Sequence, residues 1–214
     1  MTDRPILFSA PMVRALLAGR KTQTRRIASF IVPAGEQYHV RNAHGGWFGP
    51  ASRVPEVAPN YAPYAVGDRL WVKETWLSTP AYDDLKPSEL GGEEPLLYVA
   101  DSATFNWREA DGHRRGKTRV SIFMPRWASR ITLTVTDVRV ERLQDCSEAD
   151  AVAEGIEQYG RFFGLPDTNW DQAELSAVAA YQRLWNSING EGSWEANPWV
   201  VAVSFDVLKG NIDG

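Results

Sequence analysis

The stretch Leu17-Ala18-Gly19-Arg20-Lys21-Thr22-Gln23-Thr24-Arg25-Arg26 is the most specific segment of the chain, and it holds four cations and no acid. Residues 10–19 predict a helix, because Pro11 suits a first helical turn and Gly19 suits a helix end. Thr24 is then expected to begin a strand. On residue types alone, the cations either complete the dipole at the helix end or bind an anion. The segment thus predicts a junction between a helix and a strand with a cationic corner.

The rest of the chain changes between strand-like and helix-like patterns. Threonines alternate with apolar residues in the clearest strand, and Ser147 with Asp150 three positions later marks the clearest helix start. In order, the patterns predict a strand over 5–8, a turn and strand over 67–76, a strand over 130–142, a helix over 147–154, a longer helix over about 171–188 and a strand over 198–208. This order predicts the α+β class, with a small, mostly antiparallel sheet or barrel and flanking helices.

Two stretches, 33–65 and 78–118, are predicted to be long irregular insertions into a single domain that spans residues 1–214. Eight of the 13 prolines lie between residues 33 and 95, together with several glycines. Proline lacks a backbone N–H and interrupts regular structure, so mostly irregular chain is expected there. Loops of this length are often functional or mobile.

Length and composition limit the class of protein. With 214 residues, 43% of them hydrophobic, and a net charge of −4, the chain suits one packed domain and is not disordered. The absence of a long apolar run predicts no transmembrane helix, so no membrane partner and a cytoplasmic location are expected. The one cysteine, Cys146, excludes an internal disulfide and is interpreted as a small residue at a strand-to-helix corner. Since His39, His44 and His113 lack the pairing of a zinc site, neither a metal nor another cofactor is predicted.

The cationic segment resembles the signature of the ASCH domain, a β-barrel relative of the PUA superfamily. That signature is Gly, any residue, Lys, two of any, Glu, any residue, Arg. Gly19, Lys21 and Arg26 match it, and Thr24 stands in the place of Glu. Thr in this place is similar to the small bacterial N4-acetylcytidine amidohydrolases of the same superfamily. The likeness covers roughly residues 4–28, 66–77 and 130–208, and the whole chain also resembles an ASCH-containing protein common in phages and prophages of proteobacteria.

The resemblance implies a PUA-like β-barrel and a metal-independent hydrolase for the acyl amide of N4-acylated cytosine or cytidine. Those enzymes use a catalytic Lys, Thr and Glu, which the likeness places at Lys21, Thr24 and Glu154, the last within the segment 147–155. In such a site a neutral Lys21 takes the proton of the Thr24 hydroxyl, which becomes a nucleophile. Glu154 positions Lys21 or passes the proton to the leaving amine.

Three more residues are candidates for binding the substrate. Arg26 can hold an oxygen of the base, a phosphate or the loop itself. Glu74 can read the amino edge of cytosine or adenine, or it can form a salt bridge to one of the many arginines. Trp76 can form a wall of the pocket, since an indole face stacks well on a base.

Two other functions stay open. The same pocket can hold a flipped or modified base of RNA or DNA without chemistry, which the basic patches at residues 14–26 and 113–130 favour. Alternatively, the site of Lys21 and Thr24 can cleave RNA, since some ASCH-like proteins are associated with RNA cleavage. The expected partners are therefore a nucleoside or modified base and, in the alternatives, RNA or DNA.

Overall fold

The computed structural model describes residues 1–108, 114–165 and 172–214. Its elements confirm the predicted mixed α+β class, with sheets dominant and helices few. In chain order the strands and helices are β1 (Asp3–Leu7), α1 (Ala10–Leu17), β2 (Gln23–Ile27), β3 (Ile31–Ala34), β4 (Gln37–Asn42), β5 (Gly45–Pro50), α2 (Val54–Val57), β6 (Arg69–Lys73), β7 (Trp76–Leu77), β8 (Leu96–Tyr98), β9 (Thr104–Phe105), β10 (Ile131–Arg142), α3 (Glu148–Ala153), β11 (Glu157–Tyr159), β12 (Phe162–Gly164), α4 (Ala177–Asn189) and β13 (Trp199–Lys209). Short 3₁₀ turns are formed by Ala51–Arg53, Ala58–Tyr61, Pro80–Tyr82, Pro87–Glu89, Ser121–Phe123, Arg126–Ala128 and Leu143–Asp145.

One compact unit, called unit 1 below, comprises Met1 and residues 20–68 and 135–206. In this unit β10 is a neighbour of β13, and β13 pairs antiparallel with β2, so that Val203 lies opposite Thr24. A separate antiparallel sheet has the order β3-β4-β5. The helices α3 and α4 pack against each other.

The other compact unit, called unit 2, comprises residues 2–19, 69–134 and 207–214. Here β1 pairs parallel with β6, and β6 pairs antiparallel with β10. A second sheet has the order β7-β8-β9. Trp76 of β7 and Leu96 and Tyr98 of β8 form a cluster of buried residues together with Leu90, Met124 and Ala128.

The sheets correct one part of the prediction, because none of them closes into a barrel within the described residues. The strand order is β1-β6-β10 in unit 2 and β10-β13-β2 in unit 1, with β1 and β2 as end strands. Pro5 lies within β1, and a residue without a backbone N–H suits an end strand. The β-rich α+β class therefore holds, while a closed barrel does not.

The stretch 33–65 is more regular than its prolines predict. It holds most of the β3-β4-β5 sheet, followed by α2 with one 3₁₀ turn on each side of it. Pro33 lies in the end strand β3 and Pro50 is the last residue of β5, which are positions where a missing N–H is tolerated. Pro55 occupies the first turn of α2, where proline is also favoured. The described part of 78–118, in contrast, holds only two short strands and two 3₁₀ turns.

The predicted strand over 67–76 is divided in two. β6 ends at Lys73 and β7 begins at Trp76. Between them, the backbone N–H of Glu74 donates to Met124 Sδ at 3.4 Å, so the backbone turns away from the sheet and toward a core side chain. Because this side chain is distant in the sequence, the local alternation of residues does not reveal the break.

The helix α3 confirms the predicted cap. Ser147 Oγ accepts a hydrogen bond from the backbone N–H of Asp150 at 3.1 Å, and Asp150 Oδ2 accepts one from the N–H of Ser147 at 3.1 Å. This reciprocal arrangement satisfies two backbone donors that the first helical turn leaves without partners.

The helix α4 ends at Asn189, within one residue of its predicted end, but it begins later than predicted. It starts at Ala177 with Ser176 as its cap, whereas the predicted start at residue 171 lies outside the described residues, as does His113. Leu175, before the helix, and Ile188, near its end, are both exposed. No helix among the described residues is long and apolar enough to cross a membrane.

Candidate active site

The strand β2 presents its side chains on two faces. Because side chains alternate along a strand, Gln23 and Arg25 share one face, and Thr24 and Arg26 share the other. The hydrogen bonds follow this alternation: Arg25 Nη1 donates to Gln23 Oε1, and Arg26 Nη1 donates to Thr24 Oγ1 at 2.8 Å. Gln23, Thr24 and Arg25 are all buried, so both faces of the strand are covered.

Lys21 lies just before β2 and is bound to the C-terminal end of α3. Its Nζ donates to the carbonyl oxygens of Gln23 and Glu154, both at 2.8 Å, and to Glu154 Oε2 at 2.9 Å. Three acceptors match the three donors of an ammonium group. The Glu154 carbonyl belongs to the last turn of α3, where the helix dipole favours a cation. Lys21 is 2% exposed and Glu154 is 3% exposed, so the pair is removed from water.

Arg25 extends this ion pair into a network. Its Nη1 lies 3.2 Å from Glu154 Oε1, and its Nη2 lies 2.7 Å from Glu141 Oε1 and 3.3 Å from Asp150 Oδ1. The guanidinium thus joins α3, which supplies Asp150, to β10, which supplies Glu141. A buried charge is tolerated when it is paired in this way. The Lys21 network, as we call it below, consists of Lys21, Arg25, Glu141, Asp150 and Glu154.

Burial and pairing shift protonation within the Lys21 network. Burial lowers the pKa of Lys21 below its usual range, while the carboxylate of Glu154 opposes this shift. Burial acts to raise the pKa of Asp150, but hydrogen bonds from Ser147 and Arg139 keep that pKa below its usual range. The network therefore holds a lysine that releases its proton more readily than a free lysine, in contact with a carboxylate.

Of the three predicted catalytic residues, Lys21 and Glu154 are in direct contact. The Thr24 hydroxyl accepts a hydrogen bond from Arg26, on the face of β2 opposite to Arg25. Thr24 is 0% exposed, whereas Arg26, a predicted binding residue, is half-buried. Arg26 also donates to the carbonyl oxygen of Arg25 at 3.1 Å, so its guanidinium is held beside the threonine.

Glu74 and Trp76, the other predicted binding residues, belong to unit 2. Both carboxylate oxygens of Glu74 accept hydrogen bonds from Arg130, at 2.8 and 2.9 Å, which is the salt bridge that the sequence left open as an alternative. Burial raises the pKa of Glu74, and Arg130 opposes this shift. Trp76 is buried within the cluster of unit 2, so its ring presents no free face on which a base can stack.

The sequence includes Arg25 among the cations near Lys21, but it does not predict that Arg25 pairs with Gln23 and Glu141. The spacing of two between Gln23 and Arg25 places them on one face of a strand. Nothing in the sequence shows, however, that α3 packs against that strand. Glu141 lies near the end of a strand that was expected, but its partner Arg25 is 116 positions away.

Neither a metal-binding group among the described residues nor a match to a known protein gives further evidence on the function. Across residues 1–108, 114–165 and 172–214, no group of three or more His, Cys, Asp or Glu side chains is placed to hold a metal ion. Comparisons of the chain with protein-family models, with curated proteins and with solved structures found no match. The support for a function comes from the motif around Lys21 and from the contacts of the Lys21 network.

Cys146 lies in the turn between β10 and α3. It is buried, and its Sγ donates to the carbonyl oxygen of Ser147 at 3.6 Å. Burial raises the pKa of the thiol to about 12, although Arg25 acts in the opposite direction. Since the thiolate is the reactive form, this cysteine is a poor nucleophile at neutral pH.

Removing both members of the Lys21–Glu154 pair should lower the free energy of unfolding by less than the two single removals added together. We expect Lys21→Met and Glu154→Gln each to lower the free energy of unfolding by about 3 kcal/mol, because each leaves a buried charge with fewer partners. The double variant should be more stable than the sum of the single losses predicts, by at least about 1 kcal/mol. Urea unfolding at pH 7 measures all four proteins. The exposed pair Arg53 and Glu56 is the control, with an expected coupling below about 0.5 kcal/mol; equal coupling in both pairs would contradict the expectation.

Cys146 should be protected from thiol reagents. We expect an aromatic disulfide reagent at pH 8 to modify it at least about tenfold more slowly in the native protein than in urea, since few thiolates form in the fold. Cys146 is the only cysteine, so the released chromophore reports this residue alone. Its pKa is higher when folded than its ordinary 9.0, so the free energy of unfolding should fall as the pH rises from 9.0 toward 12. Cys146→Ala should show a smaller fall, because the pKa values of Tyr98 and Tyr181 are also raised and still contribute. Equal reaction rates with and without urea would count against a buried thiol.

Proposed function

We propose that unit 1 is a metal-independent amidohydrolase that cleaves the acyl amide of N4-acylated cytosine or cytidine, with Lys21, Thr24 and Glu154 as its catalytic residues. The observation that carries the proposal is the buried contact between Lys21 Nζ and Glu154 Oε2 at 2.9 Å. A desolvated lysine in contact with a carboxylate is typical of sites that move protons. The substrate class rests on the motif residues Gly19, Lys21, Thr24 and Arg26 and on their resemblance to the ASCH-type amidohydrolases.

The proposed reaction begins with the Lys21–Glu154 contact. The proton on Lys21 Nζ moves to Glu154 Oε2, a transfer that is assisted by burial, which lowers the pKa of Lys21. The neutral amine takes the proton of the Thr24 hydroxyl while Oγ1 attacks the carbonyl carbon of the amide. The C–N bond then breaks, and N4 of cytosine leaves with a proton supplied by this pair. Water hydrolyses the acyl ester on Thr24 and releases the carboxylic acid.

Arg26 has a defined place in this reaction. Its Nη1 donates to Thr24 Oγ1 at 2.8 Å. A charge-assisted hydrogen bond of this kind stabilises the negative charge that develops on the attacking oxygen. Because Thr24 is buried, the substrate must displace side chains that cover it, and the half-buried Arg26 is in contact with both the threonine and the surface.

The proposal extends to the architecture and to the cellular setting. A relationship to the PUA-like fold belongs to the proposal, and the long strand β10 followed by the short capped helix α3 supports it. A cytoplasmic location and a relationship to the ASCH-type proteins of phages and prophages are predictions of the same resemblance.

Hydrolysis of N4-acetylcytidine tests the proposal directly. We expect the purified chain to release cytidine and acetate in the presence of a chelator. Lys21→Met and Thr24→Val should each lower kcat by at least about 100-fold, because they remove the base and the nucleophile. Lys209→Met, at an exposed lysine, is the matched control and should keep full activity. Circular dichroism verifies that each variant is folded; no turnover by the native chain, or full activity of a folded Lys21→Met variant, would refute the proposal.

A second candidate function is the binding of RNA or DNA, and a surface of unit 2 favours it. Val120, Ile122 and Phe123 are 55%, 58% and 60% exposed. The exposed cations Arg114, Arg115 and Lys117 precede them, and no ion pair to these three exists among the residues that the structure describes. Cations attract phosphates, and an exposed aromatic ring is a platform for a base.

The backbone holds this surface in place. Trp76 N–H donates to the Arg119 carbonyl oxygen at 3.1 Å, and Arg119 N–H donates to the Trp76 carbonyl oxygen at 2.8 Å. Gly116 N–H donates to the carbonyl oxygen of Ser78, and Lys117 N–H donates to Asp83 Oδ1, both at 2.8 Å. These hydrogen bonds fix residues 116–119 beside β7, and the side chains of Val120, Ile122 and Phe123 stay exposed.

The salt dependence of nucleic-acid binding tests this second function. We expect a single-stranded RNA or DNA of about 20 nucleotides to bind at low salt and to dissociate as salt rises. Replacement of Arg114, Arg115 and Lys117 by Gln should reduce the slope of log K against log salt by about 2, since each phosphate contact contributes about 0.7. Arg53→Gln, at an exposed arginine of unit 1, should leave the slope unchanged. No detectable binding at low salt would remove this candidate.

A further inference from the structure

Arg25 is a fully buried charge, and the motif does not account for it. Its side chain is 0% exposed, and it occupies a position where the ASCH signature allows any residue. A guanidinium keeps its charge at every pH at which proteins fold. Such a charge is stable in the interior only when several acceptors compensate it, so its contacts show what it acts on.

The guanidinium of Arg25 contacts two sides of the Lys21 network with different nitrogens. Nη1 donates to Glu154 Oε1 at 3.2 Å, whereas Nε and Nη2 donate to Glu141 Oε1 at 3.0 and 2.7 Å. Nη2 also lies 3.3 Å from Asp150 Oδ1. The charge of Arg25 is therefore divided between Glu154, which is buried, and two outer carboxylates, whose side chains are 16% and 17% exposed.

The two oxygens of Glu154 have different cationic partners. Oε1 accepts from Arg25, and Oε2 accepts from Lys21 at 2.9 Å. The last torsion of a glutamate side chain is broad unless a partner restricts it. The contact with Arg25 restricts it here, so that Oε2 stays directed at Lys21.

We propose that Arg25 is the positioning residue of the Lys21–Glu154 pair, because it orients the carboxylate and keeps it ionised by its charge. The inference deepens the proposed function and rests on it for the reaction. Under that mechanism the pair must have lost one proton before Lys21 can accept the proton of Thr24. A cation beside Glu154 favours this loss, and a carboxylate beside Arg25 weakens the effect of the cation.

Other groups that face the pair act differently. Cys146, in the turn before α3, and Tyr181, on α4, are buried, and burial raises the pKa of both, so they are neutral near pH 7. Arg26 lowers the pKa of Lys21 as well, but it is held on the opposite face of β2. Arg139 contacts the two outer carboxylates of the network from the surface.

Two substitutions that each remove one charge, with opposite expected effects, test the proposal. NMR of the lysine Cε carbons measures the pKa of Lys21; the chain has five lysines, and Lys21→Met identifies the signal. Arg25→Gln should raise that pKa, since it removes a neighbouring cation. Glu141→Gln should lower it, because Arg25 then has one competing carboxylate fewer. Arg53→Gln and Glu56→Gln, in an exposed ion pair of the same unit, are the matched controls and should leave it unchanged.

The same variants should change the hydrolysis of N4-acetylcytidine in a way that a loss of structure does not reproduce. The pH at which kcat falls to half on the acidic side should rise in Arg25→Gln and fall in Glu141→Gln. Arg25→Lys keeps the charge but lacks the planar fork that contacts several carboxylates at once. It should therefore keep the native pH dependence and lower kcat about tenfold.

The outcomes separate this inference from the proposed function. Shifts of the Lys21 pKa that have the same sign in Arg25→Gln and Glu141→Gln, or that are absent, would overturn the role of Arg25. If Arg25→Gln does not fold, an unchanged Lys21 pKa in a folded Glu141→Gln variant has the same consequence. Opposite shifts together with no hydrolysis by the native chain would support the positioning role and refute the amidohydrolase. Hydrolysis by the native chain without these shifts would do the reverse.

Discussion

A lysine ammonium that is removed from water constrains how the strands and helices of unit 1 are arranged. The three acceptors of Lys21 must all be in place together, and they come from the start of β2 and the end of α3. The N–H of Thr22 donates to the carbonyl oxygen of Ala153 at 2.9 Å and fixes the same junction. Gly155, at φ +102°, lets the chain leave α3 in a conformation that other residues rarely adopt. If β2 and α3 separated, a charge would be left in the interior without its partners.

The alternation along β2 separates two kinds of chemistry. One face carries Arg25, which neutralises carboxylates of α3 and β10, and the other carries Thr24, whose hydroxyl is held by Arg26. Lys21 precedes the strand and shares the carboxylate of Glu154 with Arg25. Under the proposed mechanism Lys21 exchanges protons with both Glu154 and Thr24. The charges of Arg25 and Glu141 then serve to hold Glu154.

Much of the fold follows from residues that are close in the sequence. The helix before Gly19, the cap at Ser147 and the strands β10 and β13 are all predictable, because turns, caps and alternation involve only neighbouring positions. The predictions fail where distant residues intervene. The sulfur of Met124 interrupts the strand at Glu74, and sheet pairing turns the proline-rich stretch 33–65 into strands.

The candidate site likewise has residues that the sequence predicts and contacts that only the packing reveals. The motif and the family resemblance single out Lys21, Thr24 and Glu154 as candidates, and the capping pattern at Ser147 predicts a short helix over 147–154 that ends at Glu154. Only the packing of α3 against β2 reveals that Arg25 is the residue that shares Glu154 with Lys21, across 129 positions of sequence. The same is true of the contact between Arg25 and Glu141. Such contacts form because charges removed from water must be paired, and which residues are removed from water is decided by the assembled fold and not by local pattern.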